Sequence, residues 1–232
     1  MNISLVIPCY NEDKNIPLIL ERCKIFSEYP DIEVILVDNG STDQTPKILS
    51  DLLPIHPYCR SIRVEQNQGY GFGIKSGLES ATGDILAWTH ADMQTDPQDI
   101  IHGAKLFEKF GHQIFVKGLR YGRPWTDVVF TIGMGIFETI LLRKRMQDIN
   151  AQPNMFSRSF YESWSFAPDD FSLDLYVYYE AKRKNLRILR FPVKFGERAY
   201  GSSHWNIDMM SKWKFIKRTI SFSMDLKRKL PK

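Results

Sequence analysis

Ile3-Ser4-Leu5-Val6-Ile7-Pro8-Cys9-Tyr10-Asn11-Glu12 and Ile32-Glu33-Val34-Ile35-Leu36-Val37-Asp38-Asn39-Gly40-Ser41 share one construction. Each is a β-rich apolar run, stopped by Pro8 or by Asp38-Asn39-Gly40, that gives way to polar residues. That is the pattern of a buried strand ending at an exposed edge. Between the two runs Ile16, Leu18-Ile19-Leu20, Cys23 and Phe26 recur at helical spacing. After the second, Ser41-Thr42-Asp43 reads as a helix start, with Pro46 tolerated in its first turn and Ile48, Leu49, Leu52 and Leu53 on one side. Ser61–Val64 and Asp84–Trp88 predict two further strands, which lead to Asn67 and Asp92. Strands alternating with helices of ~10–15 residues predict an α/β domain, a mostly parallel central sheet with helices on both faces. Ligands bind such sheets at the carboxyl ends of the strands. Tyr10-Asn11-Glu12, Asp38 to Ser41, Asn67 and Asp92-Met93-Gln94 should therefore meet at one edge.

Beyond this point the pattern loosens. Pro97 opens a helix to Phe110, Gln113–Lys117 reads as a strand, and Thr126–Met146 as a long apolar helix with Arg143-Lys144-Arg145 in its last turn. Phe171–Lys184 predicts a helix, Leu186–Phe195 a strand, and Ile207 onward a terminal helix. The 232 residues, 43% hydrophobic and 25% charged, exclude a disordered chain and fit one domain. Val128–Leu142 contains Thr131, Glu138 and Thr139 and falls short of the ~20 apolar residues of a bilayer span, so no transmembrane helix is expected. No basic region precedes an apolar stretch at the start, so no secretory signal is expected. Cys9, Cys23 and Cys59 are odd in number and lack metal-ligand spacing, which predicts reduced thiols and a cytoplasmic protein. The formal charge of +4 divides unevenly: from Met209 on, eight Lys/Arg face Asp225 alone for a local +7, leaving −3 for everything before.

Carboxylates at strand ends suit a hard divalent cation, Mg²⁺ or Mn²⁺, which bridges phosphates that bare acids would repel. Asp92 is the leading ligand and Gln94 offers an amide oxygen; Asp96 is weaker, and Asp92 and Asp96 also fit as caps of the helix after Pro97. Five segments then stand in order: Val6-Ile7-Pro8-Cys9-Tyr10-Asn11-Glu12; Val37-Asp38-Asn39-Gly40-Ser41-Thr42-Asp43-Gln44-Thr45; Asn67-Gln68-Gly69-Tyr70-Gly71 with Gly77; Ala81-Thr82-Gly83-Asp84; and Ala91-Asp92-Met93-Gln94 with Pro97. Together they resemble glycosyltransferase family 2, inverting nucleotide-sugar enzymes of the GT-A fold, and most of all its dolichyl-phosphate mannose synthase and polyprenyl-phosphate branch.

The resemblance implies a single GT-A domain over residues 1–206, with a nucleotide-sugar half to 118 and an acceptor half from 119, followed by a basic amphipathic helix at 207–232. It implies a nucleoside pocket lined by Pro8, Tyr10 and Glu12, with Asp38 accepting from base or ribose and Asn67, Gly71 and Ala91 beside the nucleotide sugar. Asp92 and Gln94 would hold the metal on the diphosphate. Tyr10 also fits as a packed aromatic, and Lys75 fits equally as a solvated residue or as a partner of the diphosphate. Gly69-Tyr70-Gly71-Phe72-Gly73 is not a dinucleotide loop, because it follows the third strand and not the first. Two positions depart toward histidine: His90, where that branch commonly has Asp, and His204, where Lys is common.

Arg158, within Asn154-Met155-Phe156-Ser157-Arg158, resembles a family segment that meets donor or acceptor, and Arg198, Ser203 and His204, within Arg198-Ala199-Tyr200-Gly201-Ser202-Ser203-His204-Trp205, resemble one in which basic residues grip phosphate. Surface ion pairing is the alternative for both arginines. Transfer to a glycan hydroxyl would need a base, for which Asp169, Asp170 and Asp174 are available; a phosphate acceptor would need none. Met209, Trp213, Ile216, Ile220 and Met224 share one helical face beside Lys214, Lys217 and Arg218, suited to an anionic lipid surface on the cytoplasmic side or to packing on the domain. The Val128–Leu142 helix reads as core by default, or as a homodimer interface or a second interfacial element. A non-catalytic nucleotide-sugar-binding protein is the reading from another class. Charge clustered at one end, without a recognised motif, gives no support for a nucleic-acid partner.

Overall fold

The computed structural model describes residues 1–200 and 209–229, the latter with side chains from Ile216 to Arg228. Seven strands, β1 (Ile3–Cys9), β2 (Ile32–Asn39), β3 (Cys59–Val64), β4 (Ile85–Trp88), β5 (Ile114–Tyr121), β6 (Asn154–Ser157) and β7 (Arg187–Lys194), form one sheet in the order β3-β2-β1-β4-β6-β5-β7. The helices are α1 (Ile16–Cys23), α2 (Thr45–Leu52), α3 (Tyr70–Ser80), α4 (Asp99–Phe110), α5 (Trp125–Leu142), α6 (Arg158–Glu162), α7 (Leu173–Arg183) and α8 (Met209–Lys229). Each strand pairing is parallel except the two made by β6. The α/β class and the mostly parallel sheet therefore match the expectation, and β6, with the short α6 that follows it, is what the sequence did not announce. Its four residues are all buried, too short to show a period.

Alternation along β1 sorts the core into two layers. Ile3, Leu5, Ile7 and Cys9 pack under α1, α2 and α4 with Leu49, Ile100 and Phe107. Val6 faces the other side, with Ile74 and Leu78 of α3, Trp88, Phe115, Phe156 and the apolar residues of α7. Gly77 lets α3 lie directly on the sheet, since a Cβ there would stand 2.4 Å from Val6 Cγ1. The three cysteines are free and buried.

Several boundaries move for local reasons. Helix α2 begins at Thr45 and not at Ser41, because residues 41–43 are spent holding the preceding loop. Helix α5 stops at Leu142, where Arg143 turns left-handed with φ +54°. Gly135 then lets the returning chain pass close, since a Cβ would meet Met146 O at 2.9 Å, and Thr139 Oγ1 accepts from Met146 N at 2.8 Å. Helix α8 packs against α5, with Ser223 Oγ donating to Glu138 Oε1 at 2.7 Å. Among its described side chains Ser223 and Leu226 are buried, and Met224 lies exposed, as the lipid-facing alternative and not the packed one would have it; Met209 and Trp213 lie outside the described side chains.

Candidate active site

The register places the first-half residues at one edge. Cys9 pairs with Asp38 and Asp38 with Arg63, so the ends of β1, β2 and β3 lie side by side, with β4 next to β1. The loop after β1 is laced to the loop after β2. Asn11 N donates to Ser41 Oγ (3.0 Å), Thr42 N to Asn11 Oδ1 (2.9 Å), Glu12 N to Thr45 Oγ1 (2.9 Å) and Asp13 N to Asp43 Oδ2 (3.2 Å). Asn11 adopts φ +55° to do so, a conformation that Asn tolerates better than most residues. Pro8 is half-buried and Tyr10 exposed beside this lattice.

Asp38 is buried. Its Oδ1 accepts from Ser41 N at 2.9 Å, whereas Oδ2 has no hydrogen bond and only Arg63 Nε at 3.7 Å. A buried carboxylate oxygen left without a donor is costly unless a ligand supplies one. Burial, opposed by a hydrogen bond from Asn15 and aided by the field of Asp92, pushes Glu12 above the usual carboxylate range. Asn67 is exposed, its Oδ1 accepting from Gly69 N at 2.8 Å.

Asp92 is also buried, just past β4 and next to buried Ala91. Its Oδ1 accepts from Gln94 N at 3.1 Å and its Oδ2 faces Arg198 Nη2 at 2.9 Å. Gln94 Nε2 donates to Gly196 O at 3.2 Å, which leaves the amide oxygen as its ligand atom. Among the described residues no group of three or more His, Cys, Asp or Glu converges as a metal cage. Two oxygen donors, one of them a carboxylate that already faces the Arg198 cation, fit Mg²⁺ or Mn²⁺, which take much of their shell from water and substrate phosphates. His90 stacks on Tyr70 at 5.6 Å between ring centroids, and burial holds its pKa below the ordinary value, favouring the neutral imidazole.

Other residues singled out in the sequence find partners within the fold. Gly71 serves close packing: a Cβ there would meet Pro168 O at 2.5 Å and Asp170 O at 2.8 Å. Lys75 Nζ pairs with Asp169 Oδ1 at 2.6 Å and donates to Ala167 O at 3.0 Å. Arg158 is corrected outright. It follows β6, which runs antiparallel, so it sits at the opposite edge of the sheet, where Nε donates to Gly83 O (2.9 Å) and Nη2 to Ala81 O (2.8 Å).

Asp174, expected as a base, is engaged within the fold. It is buried on α7, and its Oδ1 accepts from Gln152 Nε2 and Asn154 Nδ2, each at 2.8 Å. Asp170 Oδ1 accepts from Ser172 N at 2.8 Å, with Arg218 Nε 3.5 Å from its other oxygen. Ser203 and His204 lie outside the described residues.

A basic cluster that the sequence did not reveal stands over β5. Arg120 pairs with Asp148, and Arg123 Nη2 lies 3.6 Å from the same carboxylate. The Arg123 side chain is buried, and its Nε has no hydrogen-bond partner. Lys117 Nζ donates to Asn154 Oδ1 (2.6 Å) and Ala151 O (2.7 Å), and burial pushes its pKa down to about 7. A cavity lined by Arg120, Phe130, Met134, Phe171 and Leu175 adjoins it.

Residues 4–164 match the family model described as Glycosyl transferase family 2. The undecaprenyl-phosphate 4-deoxy-4-formamido-L-arabinose transferase of Proteus mirabilis is 36% identical over 103 residues, 42% of this chain and 31% of that protein. Its counterpart in Pectobacterium atrosepticum is 36% identical over 106 residues, 43% of this chain and 31% of that protein. The chain thus spans about a third of the length of the curated relatives it matches. Among solved structures, glucosyl-3-phosphoglycerate synthase of Mycobacterium tuberculosis with Mn²⁺, UDP-glucose and phosphoglyceric acid superposes with a TM-score of 0.74 at 20% identity, covering 100% of this chain and 81% of that one. A mannosyltransferase of Pyrobaculum calidifontis with GDP-Man and Mn²⁺ gives 0.70 at 19% identity, over 97% and 64%. At these identities the likeness is one of fold.

Proposed function

The chain belongs to glycosyl transferase family 2, and on that footing we propose that it moves a sugar, with inversion, from a nucleotide-diphosphate sugar to a polyprenyl phosphate at the cytoplasmic face of a membrane. The observation that carries the donor half is the pair of buried carboxylates at the ends of β2 and β4, on either side of β1. Asp38 has an oxygen in need of a donor, which a ribose hydroxyl or base N–H supplies. Asp92 and Gln94 would hold Mg²⁺ or Mn²⁺, whose positive charge would stabilise the departing diphosphate. Pro8, Tyr10 and Glu12 would flank the nucleoside, and Arg198 would turn from Asp92 to phosphate oxygens when the donor is bound.

A phosphate acceptor is favoured over a glycan hydroxyl because the candidate bases are engaged: Asp174 by two amides, Asp170 by a backbone amide, Asp169 by Lys75. An anionic phosphate needs no base. The basic cluster of Arg120 and Arg123, with two guanidiniums to one carboxylate, would receive it.

Thermal unfolding with a panel of nucleotide diphosphates and their sugars, with and without Mn²⁺, followed by transfer of labelled sugar to polyprenyl phosphate or to an oligosaccharide, tests this reading. Stabilisation by one nucleotide with Mn²⁺ and labelling of the lipid phosphate are expected. Labelling of the oligosaccharide alone would favour the hydroxyl reading, and no stabilisation by any nucleotide would sink the donor assignment. Donor binding without transfer or hydrolysis would favour the non-catalytic reading.

A further inference from the structure

Helix α5 is long and apolar, with a mean hydropathy of 1.5 over 18 residues, yet only 17% of it is buried. Trp125, Val129, Ile132, Ile136 and Ile140 follow one another at spacings of 4, 3, 4 and 4 and so line one face, each between 56% and 77% exposed. A contiguous apolar stripe of this kind on a surface marks an interaction site.

Length and composition would allow α5 to cross a bilayer, but its connections oppose that. The strands it joins, β5 and β6, pair with each other in one sheet, and the returning chain is fastened to its flank at Gly135 and Thr139. Glu138 is turned inward to Ser223 of α8. One face only is available, and both helix ends return to the same side.

The rim of the stripe identifies the occupant. Exposed Arg143 and Arg145 follow the helix end. On α8, which packs against α5, exposed Lys217, Lys227 and Arg228 outnumber Asp225, while Arg218 turns to Asp170. Cations beside an apolar, Trp-bearing helix face complement anionic lipid headgroups, and they would repel their own like across an interface between two copies.

We infer that α5 lies in the plane of an anionic membrane surface, with the Trp125–Ile140 stripe immersed at the headgroup boundary and α8 acting as its cationic flank. This moves the lipid contact expected of the terminal helix onto α5. It rests on the lipid-acceptor reading for its purpose but not for its test, which needs no acceptor.

The full chain is sedimented with vesicles of phosphatidylcholine, with and without phosphatidylglycerol and containing no polyprenyl phosphate, at low and high salt. The wild type is expected to bind the anionic vesicles and to release partly at high salt. The triple variant Ile132→Ser, Ile136→Ser, Ile140→Ser is expected to bind at least about tenfold more weakly while keeping its unfolding midpoint. Leu18→Ser, on exposed apolar surface of α1, should bind like the wild type. If the triple variant does not fold, Trp125→Ser, at the exposed start of α5, gives the same readout. Wild-type failure to bind, undiminished binding by the variant, or a wild-type dimer that the variant dissolves in light scattering would each overturn the inference. Vesicle binding without transfer would count against the proposed reaction alone, and transfer in detergent without vesicle binding against this inference alone.

Discussion

Two regions of opposite sign share the carboxyl edge of the sheet. Over β2, β1 and β4 stand Glu12, Asp13, Asp38, Asp43 and Asp92, met by Arg63 and by Arg198, which arrives from beyond β7. Over β5 stand Lys117, Arg120 and Arg123, with Arg190 of β7 reaching Gly118 O and Gln147 O, around Asp148. The difference concerns how each side can hold a phosphate. Acids at a strand edge repel a diphosphate until a divalent cation bridges them, whereas guanidiniums in excess take an anion directly. Donor binding should therefore follow the metal, and acceptor binding should follow the arginines.

Asp92→Asn strikes the acidic side and should have the largest effect. Transfer should fall on the order of 10²- to 10³-fold. The Mn²⁺-dependent part of the nucleotide stabilisation should vanish while the metal-independent part, owed to Asp38, persists. A variant that kept its Mn²⁺ dependence would dissociate Asp92 from the metal and remove the contrast between the two sides.

Asp148→Asn strikes the basic side, where the effect is on folding. The Arg120–Asp148 pair is nearly buried, and breaking such a pair costs about 3 kcal/mol. Burial pushes the Asp148 carboxyl up, but hydrogen bonds and the charge of Arg120, with Arg123, outweigh it and hold the pKa below the usual value. A depressed carboxylate stabilises the fold above its unfolded pKa of ~4 and loses that contribution as pH falls through the folded value. The gap between wild type and variant should thus be full at neutral pH and shrink in acid. Unfolding midpoints measured across that range would show it, and a gap independent of pH would mean that the pair is not ionic.

The acidic side was open to reading because its information is local. Each acid follows an apolar run by a few residues, so strand periodicity and the strand-end rule together reach Asp38 and Asp92. The basic side is assembled from residues 25 to 72 apart, such as Arg123 with Asp148 and Arg190 with Gly118, with no local pattern to join them. It depends on β6, whose four residues enter antiparallel between β4 and β5. The surroundings of Asp174 were out of reach for a related reason. A carboxylate on a helix normally faces water, but Leu173 to Ala181 is buried throughout, and amides of the β6 segment donate to Asp174 in place of water.

The direction of β6 also carries the smallest of the expected effects. Reversal of that strand puts Arg158 at the amino edge, away from both charged regions, with Nε and Nη2 on the carbonyls of Gly83 and Ala81 and its own N–H on Asp84 O at 2.8 Å. Removing a charged donor from carbonyls at a half-buried turn costs about 1–2 kcal/mol. Arg158→Ala should therefore lower the unfolding midpoint by a few degrees while leaving kcat and the acceptor KM unchanged. Arg158→Lys should recover little, because a single ammonium cannot reproduce the planar fork that spans two carbonyls. A rise in acceptor KM without loss of stability would place phosphate at the amino edge and undo the division of the carboxyl edge into an acidic donor side and a basic acceptor side.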